Sequence, residues 1–289
     1  MSTGTGNRST AGFTLLELLV VVVIGALILG ATFQVLAVQE RSYRHQGAAM
    51  TTQQNIRAAL DVLESELREI SASGGDLTMI QPESLTFRAY RAAGFICNLD
   101  APGQRIVVVR QGTQPFVANA AQKQKLLYFV EGVRTTGTDD DWGVVEIKSV
   151  EDTYTCHGTW GSVEGTDTVT LNVPGFTFAD AATGDSIVYL GAPVRSFEVF
   201  TYGLYTIDGE PVLARRDANG SLEPIIGPLA PSPSGLVFRY FDANGFPTTN
   251  PANVAQIGIV VRGRTQGTGV PGETHYTDSL TTRLFLRNN

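Results

Sequence analysis

An uncharged apolar run near the N-terminus constrains the fold of this 289-residue chain more than any other feature. The 21 residues from Leu18 to Val38 carry no charged side chain, and Thr32 and Gln34 are the polar residues among them. About 20 apolar residues in a helix span the hydrocarbon core of a bilayer. The sequence therefore predicts one transmembrane segment.

The residues before this run make an ordinary secretory signal a poor fit. Such a signal has a positive start, an apolar core of about 7 to 15 residues and a small-x-small cleavage site. Here the start carries a single basic residue, Arg8, an acid, Glu17, stands directly before the run, and the one acceptable cut, Val35-Leu36-Ala37, lies at its far end. A conventional cleaved signal and a plain membrane anchor remain as alternatives.

The segment Gly12-Phe13-Thr14-Leu15-Leu16-Glu17, followed by the apolar run, resembles the prepilin signal of type IV pilins and type II secretion pseudopilins. The resemblance implies that a prepilin peptidase removes residues 1–12 as a leader by cutting between Gly12 and Phe13, and then methylates the amino group of Phe13. It also implies a single pass through the bacterial inner membrane, a head on the non-cytoplasmic side, and assembly into a pilus or pseudopilus with other major and minor pilins or pseudopilins through the helix at 13–38.

Glu17 needs a partner in this setting. A carboxylate within hydrocarbon costs on the order of 3 kcal/mol, so intramembrane acids usually mark function. Four helical residues, a rise of about 6 Å, separate Glu17 from Phe13, so the partner is the amine of its own chain or that of a neighbouring subunit. The resemblance implies that the intersubunit pair guides insertion into the filament. The alternative is that Glu17 reaches out to the lipid headgroups.

Beyond the apolar run the chain keeps a helical pattern over residues 39–72. Apolar residues recur there every three or four positions, at Ile56, Leu60, Leu63, Leu67 and Ile70. This stripe covers barely two heptads, which favours packing onto the chain's own sheet over a coiled coil. The segment Ser71–Gly75 is expected to end the helix.

Residues 73–289 read as a β-rich head, because short β-prone runs alternate there with Gly, Pro, Asn and Asp. In the last run Leu280, Leu284 and Leu286 fall on one face, as in a sheet with one buried side. The sequence predicts an α+β fold in which a long N-terminal helix packs on a mostly antiparallel sheet. The predicted strands are 84–90, 105–109, 126–131, 144–150, 168–173, 186–190, 194–202, 236–241, 256–262 and 280–287.

About the last hundred residues also resemble PilW-type minor pilins and, second, J-type pseudopilins. The segments that carry this resemblance are Val188–Leu190, Phe197–Tyr202, Leu213–Gly220, Leu236–Gly245, Ile257–Arg264 and Leu280–Asn288. The chain length favours the PilW type, which implies a minor pilin near the pilus tip that primes assembly. Residues 75–185 resemble no family.

Cys97 and Cys156 both fall in the head, which the membrane prediction places in an oxidising compartment. We therefore expect one disulfide, with two separately buried thiols as the alternative. The two cysteines are too few and too far apart for a zinc site that sequence can identify, even with His157 beside Cys156.

The sequence carries no recognisable catalytic motif, and we expect no enzyme activity, cofactor or metal. Gly267–Gly272 matches Gly-x-Gly-x-x-Gly, but Val270-Pro271 inside it opens no helix. With 21 basic and 28 acidic residues the net charge is −7, which disfavours general nucleic-acid binding. A membrane-anchored adhesin or enzyme with its site in residues 80–180 remains a further hypothesis. We predict a structural or solvent-exposed role for His45, His157, His275, Asp139–Asp141, Arg215, Arg216, Arg262 and Arg264, and hairpin turns rather than calcium sites at Asp217–Gly220 and Asp242–Gly245.

Overall fold

A computed structural model shows one long helix and a β-rich head, and the prediction of an α+β fold is confirmed. It describes residues 14–100, 104–112, 114–118, 124–131, 140–151, 156, 166–171, 188–265 and 275–286. The chain divides into two compact units, residues 1–51 and 52–289. We describe each unit separately.

The helix α1 spans Leu15–Leu67 and contributes to both units. Within the second unit its apolar stripe is buried as predicted: Ile56, Leu63 and Leu67 are fully covered and Leu60 is 7% exposed. The helix ends at Leu67 rather than at residue 72, so Ile70 lies beyond it. Ile70 nevertheless enters the core, at 1% exposure.

The strands of the described residues all follow α1, and a short 3₁₀ helix, Pro251–Asn253, lies among the last of them. Every pairing between them is antiparallel. The strands are β1 (Leu77–Ile80), β2 (Ser84–Asp100), β3 (Arg105–Arg110), β4 (Lys125–Val130), β5 (Asp141–Glu151), β6 (Thr166–Leu171), β7 (Pro193–Ile207), β8 (Glu210–Arg216), β9 (Leu222–Ile226), β10 (Leu236–Phe241), β11 (Gln256–Arg264) and β12 (Thr277–Phe285).

Six of these strands close on themselves as a small barrel. The hydrogen-bonded order runs β2–β3–β6–β5–β4–β7, and β7 also pairs with β2. Closure removes the exposed strand edges that an open sheet would leave. Apolar side chains fill the interior, among them Ile96, Val108, Leu126, Val169 and Val194.

The long strand β2 makes this closure possible because it changes partner along its length. It pairs with β7 from Ser84 to Phe95 and with β3 from Gly94 to Asp100. At the change-over a side chain on Gly94 would collide with Val108 and with the carbonyl of Val109. A glycine is therefore required at this point of close strand approach.

The rest of the head forms a second core against α1. It joins residues of the helix, of β1, β2, β7 and β8, and of a separate three-stranded sheet, β10–β11–β12. The helix comes close to β11, since a Cβ on Gly263 would lie 2.9 Å from the side chain of Ile56. The predicted alternation in the last strand is confirmed, because Leu284 is 7% exposed while its neighbour Phe285 is 63% exposed.

The prediction of a separate strand at 186–190 is wrong for the residues that the structure describes there. Val188 and Tyr189 are not in a strand, and Leu190 and Gly191 form a turn that leads directly into β7. The side chain of Val188 belongs to the barrel core, so its apolar character reflects burial and not strand pairing. Strands β1, β8 and β9 were not predicted.

A buried aspartate closes the connection between α1 and β1. The backbone N–H of Ser71 donates to Oδ2 of Asp76 at 2.7 Å, and the Tyr90 hydroxyl donates to Oδ1 at 2.8 Å. Asp76 is 2% exposed, and this burial raises the pKa of its carboxyl above the usual range. The two hydrogen bonds and the Arg88 guanidinium, 3.8 Å away, act in the opposite direction.

We expect Asp76→Ala to lower the free energy of unfolding of the full chain in detergent by about 3 kcal/mol, because it leaves buried donors without an acceptor. Asp76→Asn should lose less than half of that, since the amide can still accept from Ser71. Asp217→Ala serves as the matched control: its carboxylate also accepts two hydrogen bonds, both from backbone N–H groups, but in an exposed turn. Equal losses for Asp76→Ala and Asp217→Ala in urea unfolding would contradict this role.

Candidate functional site

The start of α1 is built by a polar cap that precedes the apolar run. Thr14 lies directly before the helix, and the backbone N–H of Glu17 donates to its Oγ1 at 3.3 Å and to its carbonyl at 3.1 Å. Threonine at the N-cap with glutamate three residues later is the capping-box pattern, and it satisfies a donor that a helix start leaves open. The capping role of Thr14 was not predicted, although the Thr-x-x-Glu spacing of Thr14 and Glu17 indicates it in the sequence.

The carboxylate of Glu17 is available to a donor from outside the described residues. Within those residues no side chain or backbone group donates to it. The first turn is also a favourable place for an acid, because the helix N-terminus carries partial positive charge. Gly12 and Phe13, the predicted cleavage and methylation residues, lie outside the described part of the chain.

The surface of the helix after Glu17 is apolar and uncovered. The large apolar side chains from Leu15 to Val38 are between 47% and 84% exposed, and the most apolar stretch has a mean hydropathy of 2.6 with none of its residues buried. The hydroxyl of Thr32 is satisfied within the helix, since it donates to the carbonyl of Ile28 at 2.8 Å. A surface of this size and polarity is suited to lipid or to the apolar faces of other helices.

Two glycines lie on this apolar segment and leave its backbone accessible. A Cβ at Gly25 or at Gly30 would meet no atom within 4 Å. Together with Ala26, Gly30 makes a small-x-x-x-small spacing, which lets two helices approach closely in a membrane. The segment therefore offers both an apolar surface and a place for close helix contact.

The head carries its two cysteines as a pair. Cys97 of β2 is joined by a disulfide to Cys156, which lies 59 positions further along the chain, and the two Cα atoms are 5.8 Å apart. Both residues are buried, at 5% and 0% exposure, against Val107 and Val109 of β3. The bridge thus ties the barrel wall to a distant part of the chain.

The other sequence candidates are not brought together where the structure describes them. His275 uses Nδ1 to contact the carbonyl of Thr265 at 3.0 Å. The carboxylates of Asp217 and Asp242 each accept two backbone N–H groups in matching turns that end at Gly220 and Gly245. In the described ranges, no three His, Cys, Asp or Glu side chains are grouped as metal ligands. Asp139, His157 and Gly267–Gly272 lie outside those ranges.

One comparison with known proteins identifies the N-terminal segment. Residues 7–33 match the family described as the prokaryotic N-terminal methylation motif. This motif indicates a prepilin-like protein of the type IV pilin or pseudopilin kind, and it implies processing by a prepilin peptidase and assembly with other pilins. The comparison with curated proteins and the comparison with solved structures gave no match.

We expect loss of the disulfide to destabilise the head. In the chain-entropy description a bridge that closes a loop of this length contributes about 4 kcal/mol, so Cys97→Ser and Cys156→Ser should each lower the free energy of unfolding by up to that amount. The double variant Cys97→Ser/Cys156→Ser should lose no more than either single variant, because one bond is removed in all three. Urea unfolding of the purified full chain measures this, and free thiols in the untreated protein would contradict it.

Proposed function

We propose that this protein is a minor pilin that assembles into a type IV pilus by its N-terminal helix, primes polymerisation and occupies a position near the tip. The methylation motif at 7–33, continuous with the uncovered apolar surface of α1, is the observation that carries the proposal. The motif implies processing by a prepilin peptidase, and the apolar surface of α1 is suited to contact with the helices of other subunits. The role is structural and requires no catalytic group.

Glu17 provides the directing interaction in this proposal. Its carboxylate stands in the first turn of α1, where the apolar surface begins. In hydrocarbon that charge is unfavourable by on the order of 3 kcal/mol until it meets a cation. After cleavage, the methylated amine of Phe13 on an incoming or preceding subunit is such a cation. Pairing the two aligns the helices before their apolar surfaces pack.

The size of the head supports a terminal position. The second unit runs from residue 52 to residue 289, and 238 residues fold to a radius of gyration of about 18 Å. Packed helices lie only about 8 to 10 Å apart. In the shaft of a filament, heads of this size would have to pack closely on both sides of each subunit. At the end of the filament, one side of the head has no neighbouring subunit.

A J-type pseudopilin of a type II secretion system is the second candidate, because the same motif and the same helix surface serve that assembly equally well. Purified appendages distinguish the two. The protein should copurify with type IV pilus subunits and be missing from a secretion complex. The reverse result would assign it to secretion, and recovery of an unassembled, membrane-anchored head would favour the adhesin or enzyme hypothesis.

We expect Glu17→Gln to leave membrane insertion and peptidase processing intact but to reduce incorporation into sheared pili by about tenfold or more, since about 1.4 kcal/mol of lost pairing corresponds to that factor. Glu40→Gln is the matched control, because Glu40 lies in the same helix, 3.5 Å from Arg44, and well outside the apolar run. Immunoblots of sheared filaments and of membranes measure both. Wild-type incorporation of Glu17→Gln would refute the directing role.

A further inference from the structure

Two adjoining depressions lie on the surface of the head, where the last turns of α1 meet the outer wall of the barrel. They measure about 450 Å³ and 570 Å³ and share Tyr90, Arg91 and Gln114 as lining residues. Arg68 and Arg195 line the first, and Glu66, Gln124 and Glu198 line the second. The assembly role proposed above uses none of these residues.

Arg195 is an exposed cation that aromatic rings hold in place. Its guanidinium lies 5.3 Å from the ring centroid of Tyr90 and 6.0 Å from that of Trp142. No carboxylate or carbonyl of the described residues accepts a hydrogen bond from it. Stacking on ring faces leaves the N–H edge of a guanidinium free and presents it in a fixed orientation. The free edge is suited to a carboxylate, which arginine binds with two parallel hydrogen bonds.

The neighbouring arginine is, by contrast, already neutralised. Arg91 donates through Nε to Glu198 at 3.0 Å and through Nη1 to Glu66 at 3.2 Å. Glu198 is 6% exposed, so this network is fixed in the floor of the second depression. The carboxylate oxygens of Glu66 and Glu198 are acceptors. They favour a ligand that carries hydroxyl donors over one that carries only negative charge.

Gln124 adds a buried polar group without a full set of partners. It is 3% exposed, its Nε2 lies 3.4 Å from Oγ of Ser196, and its Oε1 has no partner among the described residues. Exchanging the two ends of the amide would leave the nitrogen unpaired instead. Either way one end of a buried amide that lines the second depression is left for a ligand or a water, and an unsatisfied group of this kind calls for an explanation.

We propose that these depressions bind an acidic saccharide, with its carboxylate on Arg195 and its hydroxyls on Glu66, Glu198 and Gln124. These groups fit a uronic acid unit, which carries one carboxylate and several hydroxyl groups that donate and accept hydrogen bonds. Gln114 lies between the two depressions and can reach either part of the ligand.

A nucleic acid fits this site less well. Its regularly spaced phosphates would face Glu66, Glu69 and Glu198 as well as the arginines, in a chain whose net charge is −7. Stacking of bases needs open aromatic faces, and Arg195 covers the ring of Tyr90. The one carboxylate of each sugar unit matches the guanidinium of Arg195 better.

The test measures binding of tetragalacturonate to the purified full chain in detergent by calorimetry, with fully methyl-esterified tetragalacturonate and single-stranded DNA as comparison ligands. Arg195→Gln should weaken binding by about tenfold or more. Arg216→Gln is the matched control, since Arg216 is also exposed, stacks on an aromatic ring 4.8 Å from its guanidinium, that of Tyr205, and lines neither depression. Gln124→Leu should weaken binding without lowering the melting temperature.

The expected result is binding of the acid form only, lost with Arg195→Gln and kept with Arg216→Gln. Four results would overturn the proposal: no binding by the wild-type chain, equal binding of the ester, tighter binding of DNA, or equal loss in the two arginine variants. A melting temperature for Arg195→Gln within a degree or so of Arg216→Gln shows that any lost binding is not lost folding. None of these outcomes depends on whether the chain assembles into pili.

Discussion

The uncovered apolar surface of α1 is the constraint on which the account of this protein depends. The large apolar side chains from Leu15 to Val38 are between 47% and 84% exposed. Soluble monomeric proteins rarely expose a contiguous apolar patch of that size to water. The helix must therefore be covered by lipid or by other helices. The same helix changes character at Thr52, from which point its stripe lies in the core of the head. One continuous element thus contributes to an intermolecular and an intramolecular contact.

The closed barrel of the head limits unwanted pairing between the strands of neighbouring chains. A large β-rich unit on a chain that must associate with its neighbours risks pairing through exposed strand edges. Closing β2, β3, β6, β5, β4 and β7 into a barrel gives each of these strands a partner on both sides, and the Cys97–Cys156 bridge fastens the barrel wall. Packing of α1 against β11 then fixes the second core beneath it. Association is left to the helix, and in the proposed function the Glu17 carboxylate directs it.

The periodicity of apolar residues predicted the structural features that depend on neighbours within one helix or strand. The helical stripe from Ile56 to Leu67 and the alternation of Leu284 with Phe285 follow from periodicity, and both were visible in the sequence. Barrel closure was not visible in the sequence, because it depends on β2 changing its partner from β7 to β3 near Gly94. The β2–β7 pairing joins residues about a hundred positions apart. The apolar segment at 186–190 failed as a strand for a related reason: Val188 is buried by the barrel and not by a neighbouring strand. Arg195 and Gln124 are separated along the chain, and only folding places them in adjoining depressions.

The most direct test of the prepilin account is mass spectrometry of the N-terminus of the membrane-bound protein, in cells with and without the prepilin peptidase. A prepilin should yield a chain that begins at N-methylated Phe13 when the peptidase is present, and a chain that retains Gly12 when it is absent. A chain that keeps Gly12 in both strains, or one that begins at Val38 in both, would contradict it and return the protein to the anchored or secreted β-domains.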